Sequence, residues 1–416
     1  MRAVAALALA LGLGVTTDAR AREVVVGIDA PDVASSIALA QVGDVVVLPA
    51  GTWPGHVTLD KAITLTSRGG VLDGGDTGTV LRVSAAGAIV QGLRIRGSGT
   101  DRQGPDACMY LEPGATGAQI LDNELWDCTF GIWVHTTTDV AVERNLVKGR
   151  SDIRNTSDRG NGIHLFDAER LRIVGNRVVN ARDGIYVSAT EHTLISGNVV
   201  EDLRYGIHYM YSFDNTVQDN VCRANVSGIA LMQSSRLKIL GNKVSDNERH
   251  GILFRDVQYS QIEGNIVERN GEGMFFFSSL DNTLRGNRFA GNTIGARIWA
   301  GTERNVVDGN SFVGNGQQIF YVAATDQIWD EPDGQGNYWS DYLGWDQDGD
   351  GRGDRAYRVD SFHASLLYRY PAAALLLRSP ALEILGRLQE RLPALRVPTI
   401  REAHPAMVDP VPRQAE

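Results

Sequence analysis

The chain has 416 residues, a formal net charge of −10 and a hydrophobic fraction of 43%. This length allows one large domain or two ordinary ones, and the apolar fraction is sufficient for a sizeable core. The acidic balance and the lack of a long basic run argue against a nucleic-acid partner, because neutralising phosphates requires clustered lysines and arginines. The 46 glycines favour many tight turns over long helices.

Residues 1–21 have the features of an export signal. A positive charge at Arg2 precedes an apolar run from Ala3 to Val15, and Ala19-Arg20-Ala21 fits the small-x-small rule for cleavage. The run is too short to cross a bilayer, which disfavours an uncleaved anchor. The sequence therefore predicts export, with a mature protein that is soluble outside the cytoplasm.

A repeat of about 22 residues organises the middle of the chain. An asparagine recurs in steps of 22, 31, 22, 22, 22, 23, 22 and 23 residues, and an aliphatic residue stands three positions before each one. The nine asparagines are Asn123, Asn145, Asn176, Asn198, Asn220, Asn242, Asn265, Asn287 and Asn310. Short strands and glycine turns at this period predict an all-β fold, a right-handed parallel β-helix of the pectin-lyase type, whose coils stack to bury their inner faces. We interpret the asparagines as a structural ladder of amides at one corner of the stack.

A glycine in each repeat indicates which side chains of the following strand face outward. The first and third residues after the glycine are mostly aliphatic and should face inward, so the second and fourth should face outward. The first outward column is Trp133, His164, Tyr186, His208, Ala230, Leu253, Phe275 and Arg297; the second is His135, Phe166, Ser188, Met210, Met232, Arg255, Phe277 and Trp299. This surface is unusually apolar, which predicts that the C-terminal segment or another protein covers it.

His208, Met210 and Met232 form a candidate copper site on the outward face. The two methionines occupy equivalent positions in consecutive coils, so their Cα atoms should lie about 4.8 Å apart. Two thioethers and an imidazole suit Cu(I), whereas zinc more often takes thiolates or several histidines. The alternative is that both methionines only fill gaps beneath whatever covers this face.

Three cysteines, Cys108, Cys128 and Cys222, cannot all pair with one another, and an exported chain of this size needs no disulfide to hold its core. Cys222 stands where other repeats carry an inward-facing valine, so we expect a buried thiol. Two further pairs of soft donors are Cys108 with Met109 and His404 with Met407.

The remaining sequence divides into three segments after the signal. Residues 22–320 are predicted to form the β-helix, with an amphipathic helix at Asp32–Gln41 covering the first coil. Residues 321–358 form an aromatic and Asp-Gly-rich closing segment, and residues 359–416 a helical and Pro-rich extension. An insertion at Lys148–Gly160 should loop out of the stack.

The closing segment contains a candidate calcium loop. Asp346, Asp348, Asp350 and Asp354 occupy positions one, three, five and nine of such a loop. The acidic residue expected at position twelve is replaced by Tyr357. Two interpretations therefore stay open, a calcium site and a polar turn stabilised by hydrogen bonds of the aspartates to nearby backbone.

Catalysis on acidic polysaccharides is the other function to consider for a parallel β-helix. That chemistry needs clustered Asp, His or Arg side chains, and the two outward columns offer no adjacent carboxylates. The strings Asp-Pro-His-Asp and Gly-His-Gly of such enzymes are also lacking. We therefore predict that the chain is not an enzyme, with a carbohydrate-binding or polysaccharide-modifying β-helix as the alternative.

Several strings resemble the NosD family, periplasmic β-helix proteins that are needed for maturation of the denitrification enzyme nitrous oxide reductase. The strings are Asn161–Leu165, Asp183–Ser188, Leu203–Ser212, Asn337–Trp345 and Leu367–Pro371. The repeats alone are shared by many β-helices, so Arg-Tyr-Gly-Ile-His-Tyr-Met-Tyr within the third string and the C-terminal region are the more specific parts.

The resemblance implies a periplasmic location, peripheral to the membrane on the outer face of an ABC transporter with membrane subunit NosY and ATPase NosF. It also implies the copper chaperone NosL and the reductase NosZ as partners, with copper passing transiently as Cu(I). It supports His208, Met210 and Met232 as ligands and carries over no others. The C-terminal helical region becomes the expected docking site for the membrane subunit.

Overall fold

The computed structural model describes residues 21–412 except 324, 330, 332, 360–365, 367–369, 371, 373–378, 381–383, 385–387 and 389–396. The predicted export signal, apart from its last residue, and most of the predicted helical part of the extension lie outside the described residues. No helix in the described ranges is both long and apolar enough to cross a membrane.

The chain winds into a parallel β-helix, as its repeat predicts. Each coil adds one strand to each of three faces, and the strands inside the stack pair in parallel with the equivalent strands of the coils before and after them. The first and second faces are joined into one sheet of 24 strands through two long bent strands, Val45–Pro54 and Thr64–Asp73, which contribute to both faces. The third face is a separate sheet of twelve strands.

The strands follow the coils in order. Besides the two long strands, the first face comprises Glu23–Val25, Ile89–Gln91, Gln119–Leu121, Ala141–Glu143, Arg172–Val174, Leu194–Ser196, Thr216–Gln218, Lys238–Leu240, Gln261–Glu263, Thr283–Arg285 and Val306–Asp308. The second face comprises Arg94–Arg96, Glu124–Cys128, Leu146–Gly149, Arg177–Val179, Val199–Glu201, Val221–Arg223, Lys243–Ser245, Ile266–Glu268, Arg288–Ala290, Ser311–Val313 and Tyr338–Trp339. The third face comprises Val57–Leu59, Leu81–Val83, Ala107–Leu111, Phe130–His135, Ile163–Phe166, Asp183–Ser188, Tyr205–Met210, Ser227–Met232, His250–Arg255, Glu272–Phe277, Ile294–Trp299 and Gln317–Val322.

A short helix, Val33–Leu39, covers the first coil, which confirms the predicted capping helix. The Asp32 side chain begins it by accepting a hydrogen bond from the Ser35 backbone N–H at 2.7 Å. Lys61 ends it by donating to three carbonyl groups of the last turn at 2.7–3.0 Å. Val33 and Ile37 pack into the core and close the open end of the stack.

The interior is a column of stacked aliphatic side chains, and the predicted inward positions are buried. Cys222 is fully buried among them, and the apolar surroundings raise the pKa of its thiol. Near the last coil the column becomes aromatic, with Phe289 and Phe312 stacked at 5.1 Å and Phe312 and Trp339 at 4.4 Å. Trp339 thus covers the far end of the core.

The asparagines form the predicted ladder between the first and second faces. Each side-chain amide donates to the side-chain oxygen of the asparagine in the next coil at 2.9–3.0 Å, and the ladder extends one position further, to Asn337. A second ladder between the second and third faces was not predicted. It comprises Asn225, Asn247, Asn270, Asn292 and Asn315.

Cys108 and Cys128 form a disulfide between adjacent coils, with Cα atoms 5.6 Å apart. The prediction that Cys108 and Met109 offer a pair of soft metal donors is therefore wrong. The Cys108 sulfur is bonded to Cys128, and Met109 is fully buried in the core.

The C-terminal part of the chain returns to the end of the stack. A three-stranded sheet joins Gln327–Ile328, Ile400–Glu402 and Tyr357–Arg358, with the second of these strands in the middle. The insertion predicted at 148–160 leaves the stack only after Gly149, because Lys148 and Gly149 still belong to a paired strand of the second face. The loop contains a single 3-10 turn, Thr156–Asp158. It contacts a neighbouring loop, where Arg102 donates to the Ser157 carbonyl at 2.9 Å.

Candidate functional site

Met210 and Met232 lie directly opposite each other on adjacent strands of the third face. Their inward neighbours Tyr209 and Leu231 are fully buried, whereas both methionine side chains are partly exposed. Strand spacing therefore places the two backbones about 4.8 Å apart, with both thioethers on the outer side. The structure keeps the two methionines together, as the sequence predicts.

His208 lies two residues before Met210 on the same outer side, but it is far less exposed than an outward position suggests. Only 5% of the residue is accessible. Tyr186 and Tyr205 contact the imidazole edge to face, with ring centroids 5.0 and 4.8 Å from it. Its Nδ1 is 3.1 Å from Oδ2 of Asp183, while Nε2 is buried without a hydrogen-bond partner among the described residues. The imidazole therefore has one nitrogen, Nδ1, held by Asp183 and a second, Nε2, without a hydrogen-bond partner among the described residues.

Asp183 is a fully buried carboxylate of the preceding coil. Arg204 binds it with two hydrogen bonds of 2.9 and 2.7 Å. Burial alone would raise the pKa of Asp183, but the hydrogen bonds from His208 and Arg204 outweigh burial and lower the pKa below its ordinary value. A negative charge therefore stays beside the imidazole.

A run of rings along the outer face ends at His208. Trp133 and His164 stack at 4.3 Å, His164 meets Tyr186 at 4.8 Å, and Tyr186 meets His208 at 5.0 Å. The neighbour of His208 in the next coil is Ala230, whose methyl group fills much less volume than a ring. The strand register therefore places Ala230, the smallest side chain of the first outward column, beside His208 and in the same coil as Met232.

Asp183 belongs to an outer column that the sequence prediction missed. Strict alternation would place the residue before each glycine on the inner side. The glycine itself, however, has no partner in the strand pairing: Asp183 pairs with Tyr205, and the next pair is Ile185 with Ile207. The residue before the glycine therefore also reaches the outer side. Its polar identity in several coils was the available signal, since unpaired polar groups are excluded from an apolar core. The polar members are Asn161, Asp183, Ser227, His250 and Glu272.

An enzyme that cleaves polysaccharides would need two neighbouring carboxylates, and this column of residues does not supply such a pair on the central strands of the third face. In the third-face strands from Phe130 to Phe277, the acidic residues are Asp183 and Glu272, which the strand register places four coils apart. Four coils correspond to roughly 19 Å. Glycosidases hold their two carboxyl groups about 5–9.5 Å apart, so these two cannot act on one bond.

The aspartate-rich loop lies far along the chain from this site, in the closing segment. Ligand atoms of Asp346, Asp348 and Asp354 lie within 4.8 Å of one another, and Asp350 is not part of this group. The carboxylates also accept backbone hydrogen bonds within the loop, such as Gly349 N–H to Asp346 at 2.7 Å. The geometry is thus compatible with both interpretations of the loop.

The donors of the third face fit a soft metal ion. Two adjacent thioethers and an imidazole with an unused, buried nitrogen are the neutral sulfur and nitrogen ligands that Cu(I) takes. The other predicted soft pair, His404 and Met407, lies in the C-terminal extension, with His404 exposed and Met407 partly buried.

Comparison with known proteins agrees with the fold and with the resemblance. A family profile described as "Periplasmic copper-binding protein (NosD)" matches residues 144–344, and one described as "Right handed beta helix region" matches residues 71–200. The β-helix is thus of the right-handed type. Among solved structures, a family 28 exopolygalacturonase of Yersinia enterocolitica is similar in fold, with a TM-score of 0.56 and 12% identity over 74% of this chain and 78% of that chain.

Two curated relatives cover most of the chain. The probable ABC transporter binding protein NosD of Pseudomonas aeruginosa is 40% identical over 375 residues, which is 86% of this chain and 87% of that protein. The protein of the same name from Stutzerimonas stutzeri is also 40% identical over 375 residues, covering 86% of each. On this identity across nearly the whole length of both relatives, the chain belongs to the NosD family.

Proposed function

We propose that the chain is a non-enzymatic, periplasmic component of a transporter-linked machinery that assists copper delivery for the maturation of nitrous oxide reductase. Cu(I) is its cargo, held transiently by His208, Met210 and Met232. The observation that carries this proposal is the pairing of Met210 with Met232 beside a buried imidazole whose Nε2 has no hydrogen-bond partner among the described residues.

The proposed ligands are suited to passing copper on. Thioethers and a neutral imidazole bear no charge, so they attract the soft Cu(I) ion without the strong electrostatic hold of thiolates. The methionine side chains are partly exposed, which leaves a route for exchange with a partner's ligands. A buried thiolate site would have neither property, and the remaining thiol, Cys222, lies inside the core.

The family relationship supports the choice of partners. Both curated relatives are named as ABC transporter binding proteins, so we propose that this chain binds a transporter with membrane subunit NosY and ATPase NosF. We further propose that the chaperone NosL supplies copper and that the reductase NosZ receives it. The third face can accommodate such partners, because most apolar side chains of its two outward columns are partly exposed and apolar surface of this kind marks protein contacts.

The end of the stack offers a second surface, for the transporter. The closing segment and the C-terminal extension expose four large apolar residues, Ile328, Leu343, Trp345 and Val408. We propose that this end, with the C-terminal extension, docks on the membrane subunit. Replacing Leu343 and Trp345 with serine should weaken assembly with NosY and NosF in a copurification assay while Cu(I) binding stays unchanged. Undiminished copurification would contradict this docking site.

A Cu(I) titration of the purified chain tests the proposed cargo site. With a chromophoric Cu(I) chelator as competitor, the wild-type chain should withhold one equivalent of Cu(I), and the double variant Met210→Leu/Met232→Leu should withhold none. Met274→Leu is the matched control, because Met274 is a methionine of the same sheet that points into the core. Equal Cu(I) binding by the wild type and the double variant would contradict the proposal.

A further inference from the structure

We infer that Asp183 is a positioning residue that presets His208 for metal binding through Nε2. This inference rests on the proposed function and deepens it, since it assigns a role to a residue that is not itself a ligand. Three observations carry it: the contact of Asp183 with Nδ1, the restraint of Asp183 by Arg204, and the unused Nε2.

The contact with Asp183 determines which ring nitrogen carries the proton. An ionised carboxylate can only accept hydrogen bonds, so at the 3.1 Å contact the His208 Nδ1 must be the donor. In the neutral imidazole the lone pair is then on Nε2, on the side of the ring away from Asp183. A carboxylate behind a metal-binding histidine has this effect in many metal sites, where it fixes both the tautomer and the ring orientation.

Arg204 restricts the carboxylate to one orientation. The guanidinium binds both oxygens of Asp183, and it lies over the ring of Tyr205 with 4.6 Å between its central carbon and the ring centroid. Tyr205 in turn contacts His208 edge to face. Arg204, Asp183, His208 and Tyr205 therefore form a closed set of contacts, and the imidazole cannot rotate without breaking one of them.

An ordinary structural ion pair would not require this arrangement. Glu201 provides the comparison within the same chain: it is a buried carboxylate that pairs with Arg177 and Arg223 on the second face. No histidine of the described part of the chain takes part in that group. The group around Asp183 also contains His208, whose Nε2 is buried without a hydrogen-bond partner among the described residues. A buried nitrogen without a partner lowers the stability of the fold unless it binds a ligand.

The wild-type protein allows a direct test of the tautomer. In the metal-free chain labelled with ¹⁵N-histidine, two-bond ¹H–¹⁵N correlation spectra recorded with the imidazole in its neutral form should show His208 protonated at Nδ1 and unprotonated at Nε2. Addition of one equivalent of Cu(I) should shift the Nε2 resonance most. A neutral His208 protonated at Nε2, or a shift confined to Nδ1, would overturn the inference.

The variant Asp183→Asn tests the effect on binding. An asparagine amide can donate to Nδ1 and so favour the opposite tautomer, and loss of such a supporting group typically weakens metal binding about 10- to 100-fold. Glu201→Gln is the matched control and should leave the Cu(I) dissociation constant unchanged. Equal Cu(I) affinities of Asp183→Asn and the wild type would overturn the positioning role of Asp183 and leave the proposed function standing. A wild-type chain that binds no Cu(I) would contradict the proposed function itself.

Discussion

The side chain of Glu402 occupies the position that the next asparagine of the ladder would take after Asn337. Its Oε1 accepts hydrogen bonds from the backbone N–H of Asn337 at 2.5 Å and from its side-chain amide at 3.1 Å. Its Oε2 accepts a hydrogen bond from the Trp339 indole at 2.6 Å. A residue 65 positions further along the chain thus ends the ladder and holds the aromatic cover of the core.

Stability should depend on pH through Glu402. Burial raises the pKa of Glu402 from 4.5 to about 8, although hydrogen bonds from Asn337 and Trp339 act in the opposite direction. Between these two pKa values the folded chain keeps a proton on Glu402 that the unfolded chain releases. The stabilisation that this proton provides is complete below pH 4.5 and is lost as the pH rises to about 8. Urea unfolding should show this decline, at most about 1.4 kcal/mol per pH unit from this group. A Glu402→Gln variant with the same decline as wild type would contradict this assignment.

Removing one amide from the middle of the first ladder should be costly. The backbone N–H and the side-chain amide of Asn198 both donate to the Asn220 oxygen at 2.9 Å. Asn220→Ala leaves two buried donors unsatisfied, so we expect a loss of about 2–4 kcal/mol in the free energy of unfolding. Asn155→Ala removes only the exposed N-cap of a 3-10 turn and should cost less, about 0.5–1 kcal/mol. Chemical denaturation measures both, and similar values would contradict the structural role of the ladder.

The disulfide should affect stability and leave copper binding intact. It joins residues 20 positions apart, and removing a crosslink of this kind costs about 2–4 kcal/mol. The double variant Cys108→Ser/Cys128→Ser should therefore unfold at lower urea concentration but withhold the same amount of Cu(I) from a competing chelator. Loss of Cu(I) binding in a folded double variant would show that the cysteines, rather than the methionines, hold the ion.

Calcium binding by the aspartate-rich loop remains a prediction that thermal unfolding can test. Three carboxylates converge in it, so Ca²⁺ should raise the unfolding midpoint of the wild type and have no effect on Asp346→Asn/Asp348→Asn. Asp350→Asn is the matched control and should keep the response, because Asp350 lies outside the converging group. A midpoint that Ca²⁺ does not change would favour the polar-turn interpretation.

Periodic features were predictable from the sequence because each coil repeats them. The inward position of Cys222 and the opposition of Met210 and Met232 both follow from counting residues between equivalent positions. Asp183 was missed because the glycine after it breaks the strict alternation on which the prediction relied. The contact therefore appears only when the strand register is known.

Features that occur once in the chain were not predictable from the repeat. The disulfide joins Cys108 and Cys128 in coils that precede the most regular part of the pattern. Glu402 reaches Asn337 from a segment without periodicity, so no spacing indicates their contact. The disulfide links two strands within the stack, and the Glu402 contact joins the C-terminal segment to its end, but neither recurs in another coil.

The central claim is that two methionines of neighbouring coils and a histidine hold Cu(I) on the third face. X-ray absorption at the copper K-edge of the chain loaded with one equivalent of Cu(I) tests it most directly. The account predicts sulfur neighbours of the copper together with an imidazole, and loss of the sulfur contribution in Met210→Leu/Met232→Leu. A copper environment of nitrogen and oxygen only, or sulfur neighbours that persist in that variant, would contradict it.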